Sequence, residues 1–216
     1  MTDIVPLLLF LLQVFIISFT GAMQPGPITA TAISLGARNR WAGTLLAVGH
    51  GIIEFPLMVL IIFGVGAFFE NTTTKIVIGL AGGIILIFMA VQIFRSSAHI
   101  PEETAGARKG KPILAGIVLT ASNPYFLIWW ATVGLALATD AVKFGIWAFA
   151  LFAVVHWLVD LIWVQALSFA SFYGRTLLGP KLERNVLRIC AIAMLFFGLA
   201  FICKAVQTIL AARAGG

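Results

Sequence analysis

The chain has 216 residues, 61% of them hydrophobic and 10% charged. A soluble domain of this length cannot hide so much apolar side chain, which leaves a single integral membrane domain. The formal charge of +6 and a pI near 9.8 do not indicate a nucleic-acid binder, because the basic residues lie between apolar runs and form no patch interleaved with aromatics.

The first apolar run extends from Ile4 to about Gly36. As one straight helix it would be roughly 50 Å long, against a hydrocarbon core about 30 Å thick. It opens without Lys or Arg and has no small-residue cleavage pattern, so it reads as a resident helix rather than a signal peptide. Pro25-Gly26-Pro27 interrupts it. Each proline lacks an N–H and frees the carbonyl four residues back, at Gly21 or Met23. In lipid such backbone persists only against protein or a polar cavity. Where the helix resumes, its first N–H groups and positive dipole end suit a carboxylate. The carbonyls of Gly21, Met23 and Thr120 suit an ammonium group, and Thr20, Thr29, Thr31, Thr120 and Ser122 add hydroxyls. Together these ends match the two poles of a zwitterion; a plain proline kink without a ligand is the alternative.

The second span, about 41–69, carries His50 and Glu54. Glu70-Asn71-Thr72-Thr73-Thr74 separates it from the third, about 75–94, where Gly79-x-x-x-Gly83 has the spacing for close helix approach. The linker from Arg95 to Pro112 is polar, reads as mobile and holds a solvated His99. The fourth span, about 113–138, is broken at Asn123-Pro124 and stops at Thr139-Asp140. His156 and Asp160 lie in the fifth, about 142–173, and the sixth covers about 186–209. Its Cys190 and Cys203 are about 20 Å apart along a helix, too far for a disulfide, and read as buried small apolar residues. Trp41, Trp129, Trp130 and Trp147 mark membrane interfaces, unless Trp129-Trp130 walls a cavity.

Arg38, Arg40, Arg95, Arg108, Lys109, Lys111, Arg175, Lys181 and Arg184 follow spans one, three and five, whereas the opposite loops hold Lys75 and Lys143. The excess puts the first set in the cytoplasm and both termini outside a cell membrane. With three spans in each half, the second half enters from the other side. Gln24-Pro25 matches Asn123-Pro124, and His50-x-x-x-Glu54 matches His156-x-x-x-Asp160. The expected fold is therefore an all-α, six-span membrane protein built as a 3+3 inverted repeat with broken helices one and four. Its first repeat is about 1–94, its cytoplasmic linker 95–112 and its second repeat about 113–216.

A carboxylate at the bilayer centre costs at least about 2.5 kcal/mol, so Glu54 and Asp160 must face the interior, be paired or be protonated. His50 and His156 stand on the same helical faces and can share a proton with them. This makes all four candidates for proton coupling; a neutral polar clamp between helices is the alternative. A divalent ion held by the same side chains is a third possibility, although HExxH is absent and no metal is assigned. Gln24, Pro25, Gly26, Pro27, Asn123 and Pro124 are the candidate solute-binding residues. No ATP-binding motif, catalytic constellation or cofactor signature accompanies them.

Gln24-Pro25-Gly26-Pro27, Gly49-His50-Gly51-Ile52-Ile53-Glu54 and Asn123-Pro124 make the chain resemble the LysE-type amino-acid exporters, which include homoserine and threonine efflux proteins. Members typically have Gly-Asp where this chain has Ile53-Glu54, and often Asn-Pro-Lys where it has Asn123-Pro124-Tyr125. The resemblance implies efflux of an amino acid from the cytoplasm, driven by the proton gradient. The expected protein is a non-enzymatic carrier in the bilayer, for which a symmetric homodimer is a plausible assembly. Rival readings are a divalent-cation exporter of the same superfamily and a non-transporting structural or redox subunit.

Overall fold

The structure, a computed structural model, describes residues 4–65, 71–98 and 111–214. All elements among them are helical: α1 (Ile4–Ala22), α2 (Pro27–Gly36), α3 (Ala42–Leu60), α4 (Thr72–Ala98), α5 (Pro112–Ala121), α6 (Pro124–Trp129), α7 (Leu135–Lys143) and α8 (Ile146–Ala214). π-Helical turns at Ile61–Val65 and Trp130–Gly134 extend α3 and join α6 to α7. Six stretches are long and apolar enough to cross a bilayer: Ile4–Ala22, Ala42–Gly64, Thr72–Arg95, Pro124–Lys143, Ile146–Gly174 and Arg184–Ala211. The expected all-α membrane fold with six spanning helices is present. The polar linker around His99, Glu102 and Glu103 lies outside the described residues.

Local chemistry sets the helix ends. Gly26 is extended, with φ −155°, and Pro27 begins α2, where a missing N–H costs nothing. Asn123 plays the equivalent part before Pro124, and its Oδ1 accepts from the Tyr125 N–H at 3.1 Å. Asn71 starts α4 by accepting from the Thr73 N–H at 2.8 Å. The stop expected at Thr139-Asp140 falls inside α7 instead. Thr139 satisfies its hydroxyl on the Leu135 carbonyl at 2.7 Å, and Lys143 reaches Asp140 at 2.7 Å, so both polar residues sit on a helical surface without ending it. The end comes at Gly145, whose φ of +102° no side-chain-bearing residue adopts easily.

α8 is one helical stretch in sequence, yet it carries two spans, Ile146–Gly174 and Arg184–Ala211. Gly36 of α2 packs against Ser168, Ile33 accepts from the Ser171 hydroxyl at 2.7 Å, and Ala30 packs against Leu187 and Cys190. On a straight rod Ser168 and Leu187 would be about 28 Å apart, whereas Ala30 and Gly36 are separated by about 9 Å. The chain therefore turns back between the two spans, and the short helix α2 is wedged between them.

Between helices in lipid there is little hydrophobic driving force, so close approach through small residues holds the bundle together. Gly79 and Gly83 of α4 face Ala205 and Gly198 of the sixth span, the internal use of that spacing. At the crossing of α3 and α5, Gly49 and Gly116 meet backbone to backbone. A Cβ on Gly49 would overlap the Ile113 carbonyl, and one on Gly116 would overlap the Leu46 carbonyl. The largest packed cluster joins Phe10 and Val14 of α1, Met58 of α3, Trp130, and Phe149 and Phe152 of the fifth span.

Candidate functional site

One cavity of ≈ 890 Å³, its open mouth included, lies where the short helices meet α3, α4 and both spans of α8. Gln24, Pro25, Gly26, Pro27, Ile28 and Thr29 form one part of its wall, and Asn123, Tyr125, Phe126, Trp129 and Trp130 another. Leu86, Met194 and Phe197 add an apolar side, while His50, Glu54, His156 and Asp160 supply every ionisable group of the lining except the Tyr125 phenol. Of the candidate solute-binding residues, Pro124 alone is missing from this wall. It is buried, and its ring fills the space that a Cβ on Gly82 would need.

The two matched amide residues differ in what they do. Asn123 spends its oxygen on the cap of α6. The Gln24 side-chain oxygen is buried and has no hydrogen-bond partner. The carbonyls of Gly21 and Thr120 are each taken by a tightening bond, from the Gln24 and Asn123 N–H groups at 3.2 Å. Thr29 donates to the Gln24 carbonyl at 3.1 Å, and Thr20 and Ser122 bond their own helix backbone. The N–H groups of Ile28 and Thr29, in the first turn of α2, precede the first intrahelical bond, made by Ala30 to Gly26.

His50 and Glu54 on α3 and His156 and Asp160 on the fifth span do not form two separate pairs. They form one cluster centred on Glu54. Its Oε1 lies 3.0 Å from His50 Nε2, 3.1 Å from His156 Nε2 and 3.3 Å from the Trp130 indole nitrogen. Asp160 stands farther off, with Oδ2 3.6 Å from each histidine Nε2. The Glu54 side chain is 1% exposed and that of Asp160 16%, so Asp160 is the member nearer the open cavity. Glu54 Oε2 is buried and unpartnered.

A second ring of contacts fixes the imidazoles. His50 Nδ1 is 2.8 Å from Thr120 Oγ1, and His156 Nδ1 is 2.7 Å from Ser18 Oγ. Trp129 stacks on His156 with centroids 4.8 Å apart, and Trp130 meets it edge-on at 5.3 Å. Trp130 is wholly buried, so it is a wall and hydrogen-bond donor rather than an interface marker; Trp41 and Trp147 are exposed. His50, Glu54 and Asp160 offer three donor atoms within 4.8 Å of one another, the set a divalent cation would use.

The sequence profile of LysE type translocators matches residues 19–205, from Ser18's neighbour in α1 to the last turns of the sixth span. The chain belongs to the LysE type translocator family. No curated protein and no solved structure matches it. Membership makes it a multi-pass membrane transporter that exports small molecules, consistent with a non-enzymatic role. Within this translocator, the motif residues Gln24 to Pro27 and the acid of the second span face one cavity. Ser18 and the Trp130 indole were not singled out as partners of the cluster. A signal for Ser18 exists: Phe10, Val14 and Ser18 follow one another at intervals of four on the buried face of α1.

Proposed function

We propose that this translocator is a secondary active exporter of amino acids or similar small zwitterions, driven by proton entry. The observation that carries this reading is a buried carboxylate, Glu54, shared by two histidines in the wall of the cavity bounded by Gln24 to Pro27. The free N–H groups of Ile28 and Thr29 suit the solute carboxylate, and the unpartnered side-chain oxygen of Gln24 suits its ammonium. His50, Glu54, His156 and Asp160 exchange the coupling proton, since a cluster of two carboxylates and two imidazoles can hold different numbers of protons while staying hydrogen-bonded. Gln24 to Pro27, with Asn123 and Pro124 shaping the second short helix, bind the solute. The halves are two inverted repeats of a single domain in the cell membrane, with both termini outside.

The three-donor set of His50, Glu54 and Asp160 supports a second reading, in which the cargo is a divalent cation. The test is a proteoliposome screen of labelled amino acids and divalent ions under an imposed pH gradient. Gradient-driven amino-acid movement is the expected result. Movement of a cation alone would establish the second reading, and movement of neither by the purified chain would leave a structural or redox subunit.

A further inference from the structure

The wall of the cavity is chemically divided. Its histidines and carboxylates come from α3 and the fifth span alone, whereas α4 and the sixth span contribute Leu86, Met194 and Phe197. Among the described residues no lysine or arginine lines it. Leu86 and Met194 are buried in one packed cluster with Ala90 and Ala191, and Phe197 lies against it. No side chain of that cluster carries a nitrogen or an oxygen.

Helix geometry puts this apolar side between the two breaks. Leu86 stands one turn beyond Gly82, whose face meets Pro124, and Met194 one turn before Gly198, whose face meets Gly83. The ring of Tyr125, next after Pro124, is 6.3 Å from that of Phe197. At the other break, Ala30 of α2 packs against Leu187 and Cys190, and Ile93 of α4 joins that contact to the Leu86–Met194 cluster. A zwitterion with its carboxylate on the Ile28 and Thr29 N–H groups and its ammonium at Gln24 has its side chain left to place. Two surfaces are open to it, the acid–histidine cluster and the apolar side. In the cluster Glu54 is buried and its Oε1 already takes three bonds, while Asp160 Oδ2 already faces the Nε2 atoms of both histidines. The apolar side gains from every methylene it covers and gives a charged or hydroxylated group no partner.

We infer that Leu86, Met194 and Phe197 are specificity-determining residues that receive the side chain of the solute, and that the cargo is an amino acid with an apolar side chain. This rests on the amino-acid reading of the same cavity, but not on proton coupling. The contacts to carboxylate and ammonium are common to every α-amino acid, so discrimination among them falls to the wall that the side chain meets.

The test uses two pairs of labelled amino acids of matched length. Norvaline carries a methyl group where homoserine has a hydroxyl, and norleucine lacks the terminal ammonium of lysine. For each, kcat/KM of exchange against the same unlabelled amino acid is measured in proteoliposomes without a pH gradient. Norvaline should exceed homoserine by about tenfold or more, and norleucine should exceed lysine by about 100-fold or more. Met194→Gln puts an amide on the wall at nearly unchanged size and should narrow the norvaline-to-homoserine ratio by about tenfold. Phe197→Tyr, which adds only a hydroxyl to a half-buried ring, should narrow it in the same direction and keeps the test open if Met194→Gln does not fold. A ratio taken within one preparation is independent of how much of the protein is active. Homoserine equal to norvaline, or lysine equal to norleucine or better, would overturn the proposal and leave amino-acid export standing. A ratio unmoved in the folded variants would overturn the assignment of the wall. No exchange of any of the four would refute the amino-acid reading itself, and the proposal with it.

Discussion

Replacing Glu54 by Gln keeps the outline of the side chain and removes its charge. Oε1 accepts from His50, His156 and Trp130, and an amide oxygen in the same place still accepts all three. A bond to a charged group contributes roughly 1.5–3 kcal/mol against about 1 kcal/mol for a neutral one, so the three bonds together lose about 3 kcal/mol. Removing a fully buried carboxylate recovers a desolvation cost of several kcal/mol. The two terms are similar in size and opposite in sign, and the variant should fold with little change in thermal midpoint. Transport separates them. One pH unit is worth 1.36 kcal/mol per proton, so a carrier exchanging one proton for one solute sustains about a 100-fold solute ratio across two pH units. In proteoliposomes with that step imposed, Glu54→Gln should bring the solute only to equilibrium, while exchange of labelled for unlabelled solute continues. Accumulation equal to that of the parent would eliminate Glu54 as the coupling group and leave it a packing clamp.

Pro25→Ala with Pro27→Ala restores two N–H donors and favours a continuous helix; binding of the transported amino acid should weaken about tenfold or more in an equilibrium assay, and unchanged binding would reduce the break to a kink. Gly49→Ala places a methyl group against the Ile113 carbonyl; overpacking of this kind costs about 1–3 kcal/mol, to be read as a lowered thermal midpoint in detergent. Cysteines placed at Ser97 and Gly216, in a background lacking Cys190 and Cys203, should label from opposite sides of intact cells; same-side labelling would contradict the proposed inverted repeat.

The spans were legible because an apolar run of about 20 residues has few alternatives in water or lipid. The chain interruption at Pro25 was legible because the missing N–H acts locally. Contacts between elements were not. An i,i+4 pattern reveals Glu54 to its own His50 but says nothing of His156, 102 residues away in sequence. Gln24-Pro25 and Asn123-Pro124 look equivalent as dipeptides, yet a helix cap consumes one amide oxygen and leaves the other free. Ser18 sits between Ile17 and Phe19 in an unbroken apolar stretch, where a serine ordinarily bonds its own backbone. Cys190 is buried as expected, but Cys203 is exposed on the outer face of its helix. Thr139-Asp140 does not end its helix because both side chains are satisfied on the helix surface, by the Leu135 carbonyl and by Lys143, and α7 continues to Lys143.

The meeting of Gly49 and Gly116 has a mechanical meaning. With no side chains between α3 and α5, neither helix can sink deeper into the other, and the contact is a fulcrum. His50 is the residue after Gly49, and Thr120 lies one helical turn beyond Gly116. If the two halves rock by about 10°, atoms one turn, about 5.4 Å, from the pivot shift by only about 1 Å. Helix ends about 15 Å away shift by nearly 3 Å. Leverage of this kind would let the helix ends move by a water's diameter while the contact between His50 and Thr120 stays assembled.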